Sequence, residues 1–255
     1  IVAVDADSLK MKHSKLLEAA HSLTGVPNQK KMKTKLVAKP NGVQFLAKMK
    51  EQQNGMLNEV ILPSLTYIST ANVVLYVGAT PVLCESDKDT FNVSPEHVRP
   101  KITNKTKAII TVDLKGMPVD FDAFNQLSEE TGISIISDSA ESLGSKYKKK
   151  PVGSQLLAHS FSFFANKNIT TGEGGMITTN DKDLYEKLII IRNQGQEGRY
   201  NHTHLGNNFR LTDIQASFGI EQFRRVDWLM SEKEKIANYY TNIGLQRLAI
   251  LCPVI

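Results

Sequence analysis

Lys107–Leu114 reads KAIITVDL, a β-branched apolar run with almost no alternation. A strand that is apolar on both faces belongs inside a parallel sheet covered on both sides. Working outward, short β-branched runs alternate with longer amphipathic ones. On the N-terminal side, Val60-Ile61-Leu62 reads as a strand, Thr66–Val77 as a helix, Thr80–Glu85 as a strand and Pro95–Ile102 as a helix. On the C-terminal side, Phe121–Thr131 reads as a helix stopped by Gly132. Ile133–Ser137, Ala158–Phe163 and Gly175–Thr179 read as three more strands. This order predicts an α/β fold with a mostly parallel mixed sheet flanked by helices.

Beyond Asn180 the pattern turns helical, with Leu184, Leu188 and Ile191 on one stripe. Thr212 and Gln215 have capping-box spacing. The helix they open carries Ala216, Gly219, Ile220, Phe223 and Val226 on one face, and Trp228–Leu245 predicts a long helix. Residues 22–42 are polar, basic and turn-rich, the expected mobile part of the chain. The expected division is an N-terminal helix with a basic mobile segment over 1–40, a main domain over 41–245, and the start of a further small domain over 246–255.

The 255 residues suffice for one large domain or two small ones, and 41% hydrophobic with 22% charged residues suits a globular chain. No apolar run approaches a membrane span, and IVAVDADSLKMKHSKLL does not read as a signal peptide. With no initiator Met, the chain reads as a processed or excised piece. Two cysteines, Cys84 and Cys252, make no disulfide framework, so a reducing cytoplasm is the expectation. The net charge of +5 raises the question of nucleic acid. The basic clusters at Lys30-Lys31, Lys33, Lys35 and at Lys146, Lys148–Lys150 lack interleaved stacking aromatics. They read as solvated surface that helps attract an anionic substrate, with no nucleic-acid or membrane partner. His202 and His204 have no carboxylate or thiol at ligand spacing, so no metal site is expected.

The chemistry-bearing stretch is AHSFSFFANKNITTGEGGMIT, residues 158–178. Lys167 lies between a strand-like run and a Gly-rich turn. Taken alone it is either a surface lysine or an amine drawn out of water, where burial favours the neutral, nucleophilic form. Asp138 closes ISIISD at the carboxyl end of a strand, where ligands of open α/β sheets bind; a turn cap is the equal alternative. Ser162 shares a strand face with Ser160, its hydroxyl fit either to donate to an anion or to bond nearby backbone.

The segments FSFFANKNITTGEGGMI, ILPSLTYISTANVVLYVGATPVLCE, KTKAIITVDLKGMPVDFDAF, ISIISDSAESLGSKYKKKPVGS and LGNNFRLTDIQASFGIEQFRRVDWL run in order over about residues 59 to 243. Together they resemble the DegT/DnrJ/EryC1/StrS family of pyridoxal-phosphate-dependent sugar aminotransferases. The resemblance implies the large domain of the aspartate-aminotransferase-like, fold type I enzymes. It implies pyridoxal 5'-phosphate as cofactor, an amino-acid donor (glutamate by analogy) and a keto-sugar acceptor linked to a nucleotide. It also implies a homodimer with shared active sites.

Residue by residue, the resemblance makes Lys167 the amine that condenses with the cofactor aldehyde and Asp138 the acid on the ring nitrogen. Glu141 stands where relatives carry Gln or His near the cofactor hydroxyl. Tyr67 occupies the place of an aromatic stacked on the ring, and Ser162 that of a phosphate donor. Gly42 and Val43 fall in the turn that cradles the phosphate, where the family has a Ser-Gly-Thr type sequence. Asn208 matches an Asn that reaches the phosphate of the neighbouring subunit. Val43 lacks the hydroxyl, and Asp113 stands where relatives often have His. The chain also ends where the family continues into a smaller C-terminal domain. The alternative is a homologue that binds cofactor or sugar without turnover and serves as a dimerising module.

Overall fold

The structure, a computed structural model, describes residues 3–5 and 58–242. Its centre is a seven-stranded sheet. The strands are β1 (Ala3–Asp5), β2 (Glu59–Pro63), β3 (Thr80–Cys84), β4 (Thr106–Val112), β5 (Ser134–Asp138), β8 (Ala158–Ser162) and β9 (Gly175–Thr179). A small hairpin, β6 (Lys146–Tyr147) and β7 (Lys150–Pro151), stands apart. The order across the sheet is β1-β9-β8-β5-β4-β2-β3. Every neighbouring pair is parallel except β8 and β9, which run antiparallel. This is the mostly parallel mixed sheet expected from the sequence.

The run at KAIITVDL is nearly continuously apolar because both faces of β4 are covered beyond the exposed Lys107. Ile109 packs with Ile61, Ile135, Phe161 and Met176 on one face. Ala108 and Ile110 pack with Val60, Ile136 and Ile177 on the other. Helix α1 (Ser69–Tyr76) supplies Val73 and Val74 to the second face. Helix α3 (Phe121–Thr131) supplies Phe121, Phe124 and Leu127 to the first, all fully buried. Their i, i+3, i+6 spacing puts them on one stripe, and each buried side chain contributes about 1.5–3 kcal/mol. Asp120 caps α3 by accepting from the Ala123 N–H, and Gly132 ends it at φ 68°.

Two expected helices are shorter than their pattern. The first begins at Ser69 rather than Thr66. The second is α2 (Pro95–Val98), which tightens into a 3-10 turn over Arg99–Lys101, because Pro100 has no N–H to continue the ladder. Helix α4 (Lys182–Arg192) covers the second face with Leu184 and Leu188. Helix α5 (Asp213–Arg224) opens with the full capping box of Thr212 and Gln215, and α6 (Val226–Asn242) follows. The N-terminal helix expected within 1–40 lies outside the described residues, apart from Ala3–Asp5, which form a strand. Residues 246–255 also lie outside them. Among the described residues, no helix is long and apolar enough to cross a membrane.

Candidate active site

Strands β4, β5 and β8 run in parallel, so their carboxyl ends open on one edge of the sheet. Asp138 is the last residue of β5 and shares its face with Ile136, the face covered by α1. Thr70, in the first turn of α1, donates to Asp138 Oδ2 at 2.8 Å, and the Ala140 N–H donates to Oδ1 at 3.2 Å. Burial pushes the Asp138 carboxyl above its ordinary range; those two hydrogen bonds and the nearby Lys167 charge hold it back. Lys167 and Asp138 thus sit within electrostatic reach of each other.

The Lys167 loop joins β8 to β9 and is tied at many points. Phe163 N–H donates to Gly174 C=O at 2.9 Å, and Thr171 N–H to Phe163 C=O at 3.0 Å. The Thr171 hydroxyl donates to Glu173 C=O at 2.7 Å, and Gln215 of the capping box reaches the same carbonyl at 2.9 Å. Asn168 donates to Leu143 C=O at 2.6 Å. Gly174, at φ 153°, has Thr171 Oγ1 only 2.5 Å from where a Cβ would stand, so no side chain fits there.

Lys167 has an acidic partner. Its Nζ lies 3.5 Å from Glu141 Oε1, with the two side chains 20% and 38% exposed. The other Glu141 oxygen accepts from the Lys115 N–H at 2.8 Å. The sequence leaves Lys167 either a surface lysine or an amine drawn out of water; the structure places it in the loop after β8, partly buried and beside a carboxylate. Being partly exposed, the ion pair contributes below about 1 kcal/mol to stability. Its consequence is orientation of the amine.

Ser162 lies on the Asp138 face and accepts from the Phe164 N–H at 3.3 Å, which leaves its hydroxyl proton available to a ligand. Tyr67 stands just before α1 with 77% of its surface exposed. Asn208 is exposed on another segment, bridged to Asn193, and accepts from Arg210 Nε at 3.0 Å. The structure therefore groups Lys167 with Glu141 and Asp138, puts Ser162 on the Asp138 face of the sheet, leaves Tyr67 exposed before α1, and ties Asn208 to Asn193 and Arg210. Gly42 and Val43 lie outside the described residues.

Sequence reading missed Thr70 and a polar network on the opposite face of the sheet. Asp113 is fully buried and accepts from the hydroxyls of Ser139 at 2.7 Å and Ser142 at 2.8 Å, and from the Val119 N–H at 3.3 Å. Ser139 Oγ also meets His159 Nδ1 at 2.9 Å, while His159 Nε2 accepts the N–H groups of Gln155 and Leu156. Two donors on Nε2 put the ring proton on Nδ1, so His159 donates to Ser139, which donates to Asp113. A signal was present in the sequence: Asp113 follows β4 directly as Asp138 ends β5, two carboxylates at adjacent strand ends.

Burial moves these two groups in opposite directions. Asp113 is pushed up to about 6 and His159 down to about 3. His159 stays neutral in the folded protein while the unfolded chain takes up a proton as pH falls through 6.5. The ring therefore loses the protein stability on acidification. The stability advantage of the wild type over His159→Gln is expected to shrink by about 1.4 kcal/mol per pH unit between about pH 6 and pH 4. Taking this difference cancels the groups outside the network; Asp113, reached through Ser139, contributes in the opposite direction. Denaturant titrations of both proteins across that range check it; a constant gap would show that the folded ring titrates like an unfolded one.

The comparisons agree with this architecture. The family described as the DegT/DnrJ/EryC1/StrS aminotransferase family matches residues 41–253. GDP-perosamine synthase of Escherichia coli O157:H7 is 45% identical over 185 residues, covering 72% of this chain and 51% of that protein. A UDP-4-amino-4,6-dideoxy-N-acetyl-beta-L-altrosamine transaminase of Helicobacter pylori is 38% identical, covering 73% and 50%. Among solved structures, Helicobacter pylori PseC, an aminotransferase involved in the biosynthesis of pseudoaminic acid, superposes with a TM-score of 0.76 at 32% identity. That match covers 93% of this chain and 66% of PseC. The PLP-form of the putative sugar aminotransferase Spr1654 from Streptococcus pneumoniae gives 0.73 at 30%, covering 93% and 67%. The chain spans about half the length of the curated relatives it matches. On the match over residues 41–253 and on the shared fold, the chain belongs to the DegT/DnrJ/EryC1/StrS aminotransferase family.

Proposed function

We propose that the whole protein is a pyridoxal-phosphate-dependent aminotransferase. It moves an amino group from an amino acid, glutamate by analogy, to a keto sugar linked to a nucleotide. The observation that carries this reading is the approach of Lys167 to Asp138 and Glu141 at the carboxyl edge of the sheet. The residues present suit the cofactor. Asp138 is an acid whose burial is relieved by a cationic neighbour, which fits a protonated ring nitrogen. Ser162 has a proton to donate to a phosphate oxygen, and Tyr67 offers an exposed ring to stack on a heterocycle.

When bound, pyridoxal phosphate supplies an aldehyde for condensation with an amine and a ring that accepts the electron pair left by a departing proton. The chain's own residues do the rest. Lys167 would hold the cofactor through its amine and, when that amine is free, would take up and return the substrate proton as general base and acid. Asp138 holds the ring nitrogen protonated, with Thr70 fixing the carboxylate from α1. Glu141 orients the Lys167 amine. The donor leaves as a 2-oxo acid and the sugar carbonyl becomes an amine. Asn208 reaching a neighbouring phosphate, within a cytoplasmic homodimer, completes the reading. The names of the perosamine and altrosamine relatives support a nucleotide-linked sugar.

Borohydride reduction with pyridoxal phosphate, followed by peptide mass mapping, tests it. The expected result is one reduced adduct, on Lys167. An adduct confined to Lys115 or Lys233, or none, would overturn the reading.

A further inference from the structure

We propose that Asp113 is a positioning residue: from the opposite face of the sheet it fixes the Asp138–Ser142 turn, which carries Asp138 and the Glu141 that pairs with the Lys167 amine. The catalytic meaning of this proposal rests on the function proposed above; the geometry of the turn does not.

Asp113 grips the turn at several places. Its backbone N–H donates to Asp138 C=O at 3.0 Å. Its side chain holds Ser139 and Ser142, one residue after Asp138 and one after Glu141. The segment that follows Asp113 packs on the same turn. Lys115 N–H reaches Glu141 Oε2, and Ser145 donates to Gly116 C=O at 2.7 Å. A Cβ on Gly116 would stand 3.1 Å from Glu141 O, so the two turns are in close contact. Asp138 itself points to the other face, toward Thr70.

A buried carboxylate is a costly way to hold a turn, and it works only while each hydrogen bond is met. The polarity of this network admits one arrangement. His159 Nε2 is occupied by two donors, so Nδ1 donates to Ser139, and the Ser139 proton must go to Asp113. The surroundings are Ser139, Ser142, the Val119 N–H and the buried Ser137, with His159 beyond Ser139 and the hairpin residue Tyr147 against Phe121. Asparagine has the shape of aspartate but would turn its NH2 either on both hydroxyls, which share Oδ2, or on the Val119 N–H at Oδ1.

The test compares full-length wild type, Asp113→Asn and a control, Phe124→Leu, which loosens the core under α3 without touching the turn. Carbon-13 spectra follow the titration of the Asp138 and Glu141 carboxyls in the cofactor-free proteins. Absorbance titration gives the affinity for pyridoxal phosphate. In Asp113→Asn, Asp138 is expected to titrate closer to an ordinary carboxyl, and affinity to fall at least about tenfold. The control is expected to lose stability with neither change. Unchanged Asp138 titration in Asp113→Asn would overturn the proposal, as would equal changes in the control. If Asp113→Asn does not fold, Ser142→Ala is expected to shift both readouts in the same direction by less, and no shift there overturns it. Failure of the wild type to bind the cofactor would instead sink the proposed function, with the carboxyl titrations still deciding the role of Asp113.

Discussion

Lys167→Ala is expected to abolish transamination, lowering turnover by about ten-thousandfold or more while leaving the fold intact. On the proposed function two roles would be lost at once: covalent attachment of the cofactor, and proton movement at the reacting carbon. The expected signature separates them. Cofactor affinity falls because no amine condenses with the aldehyde, although Asp138, Ser162 and Tyr67 remain to bind the ring and phosphate. Adding a small primary amine is expected to restore part of the proton transfer, since an external base substitutes for the missing one. The fold survives because Lys167 contributes only a partly exposed ion pair, and the loop is held by Asn168, Thr171 and Gln215. Steady-state kinetics with glutamate, with and without added amine, and a thermal melt check all of this. Turnover at wild-type rate would remove Lys167 from the chemistry altogether.

The largest stability effect is expected at Gly195→Ala. Gly195 has φ +70°, and a Cβ there would stand 1.7 Å from the His204 carbonyl oxygen and 3.2 Å from Gly206 N. The left-handed backbone alone costs about 1–2 kcal/mol. The clash is with backbone, which cannot step aside like a flexible side chain. The segment must therefore give up the bonds that Gly195 C=O accepts from Thr203 and His204, and that its N–H makes to Ile190 C=O. A loss of about 3 kcal/mol or more is expected by denaturant unfolding. Gly198, at φ +86° with nothing near its Cβ, is the comparison: alanine there is expected to cost only the backbone strain. Equal losses at both positions would show that the 195–206 contact is not rigid. Asn208 lies just beyond this contact, bridged to Asn193, so Gly195→Ala is also expected to displace it.

Much of this was legible from the amino acids. KAIITVDL declares a strand covered on both faces because β-branched apolar side chains without alternation have no other stable place. Phe121–Thr131 is bounded by an aspartate cap and a left-handed glycine, both local signals, and the helix falls where they put it. Asp138 could be placed because the strand pattern ends there. What could not be read is which side chains meet across the fold. Thr70 reaches Asp138 across 68 positions, and nothing in TYIST says so. Glu141 beside Lys167 depends on two loops from different strand ends. Asp113 first stands out as a departure from a family pattern; only the register of β4 against β5 brings it onto Ser139. Local chemistry writes the elements, and long-range pairing composes the site.

The reversal of β9 against β8 has a consequence for assembly. Both feet of the arch that carries Lys167 rest on the same rim of the sheet, sealed where Phe163 meets Gly174. Closing so short a span costs little chain entropy, so the arch depends on neighbours in sequence. The acids that confront the amine come from a second turn, Asp138–Ser142 after β5, and β5 is the strand beside β8. The Lys167 amine and its counter-charges are therefore joined through the β5–β8 seam, and denaturation gentle enough to open only that seam should part them while the arch stays closed.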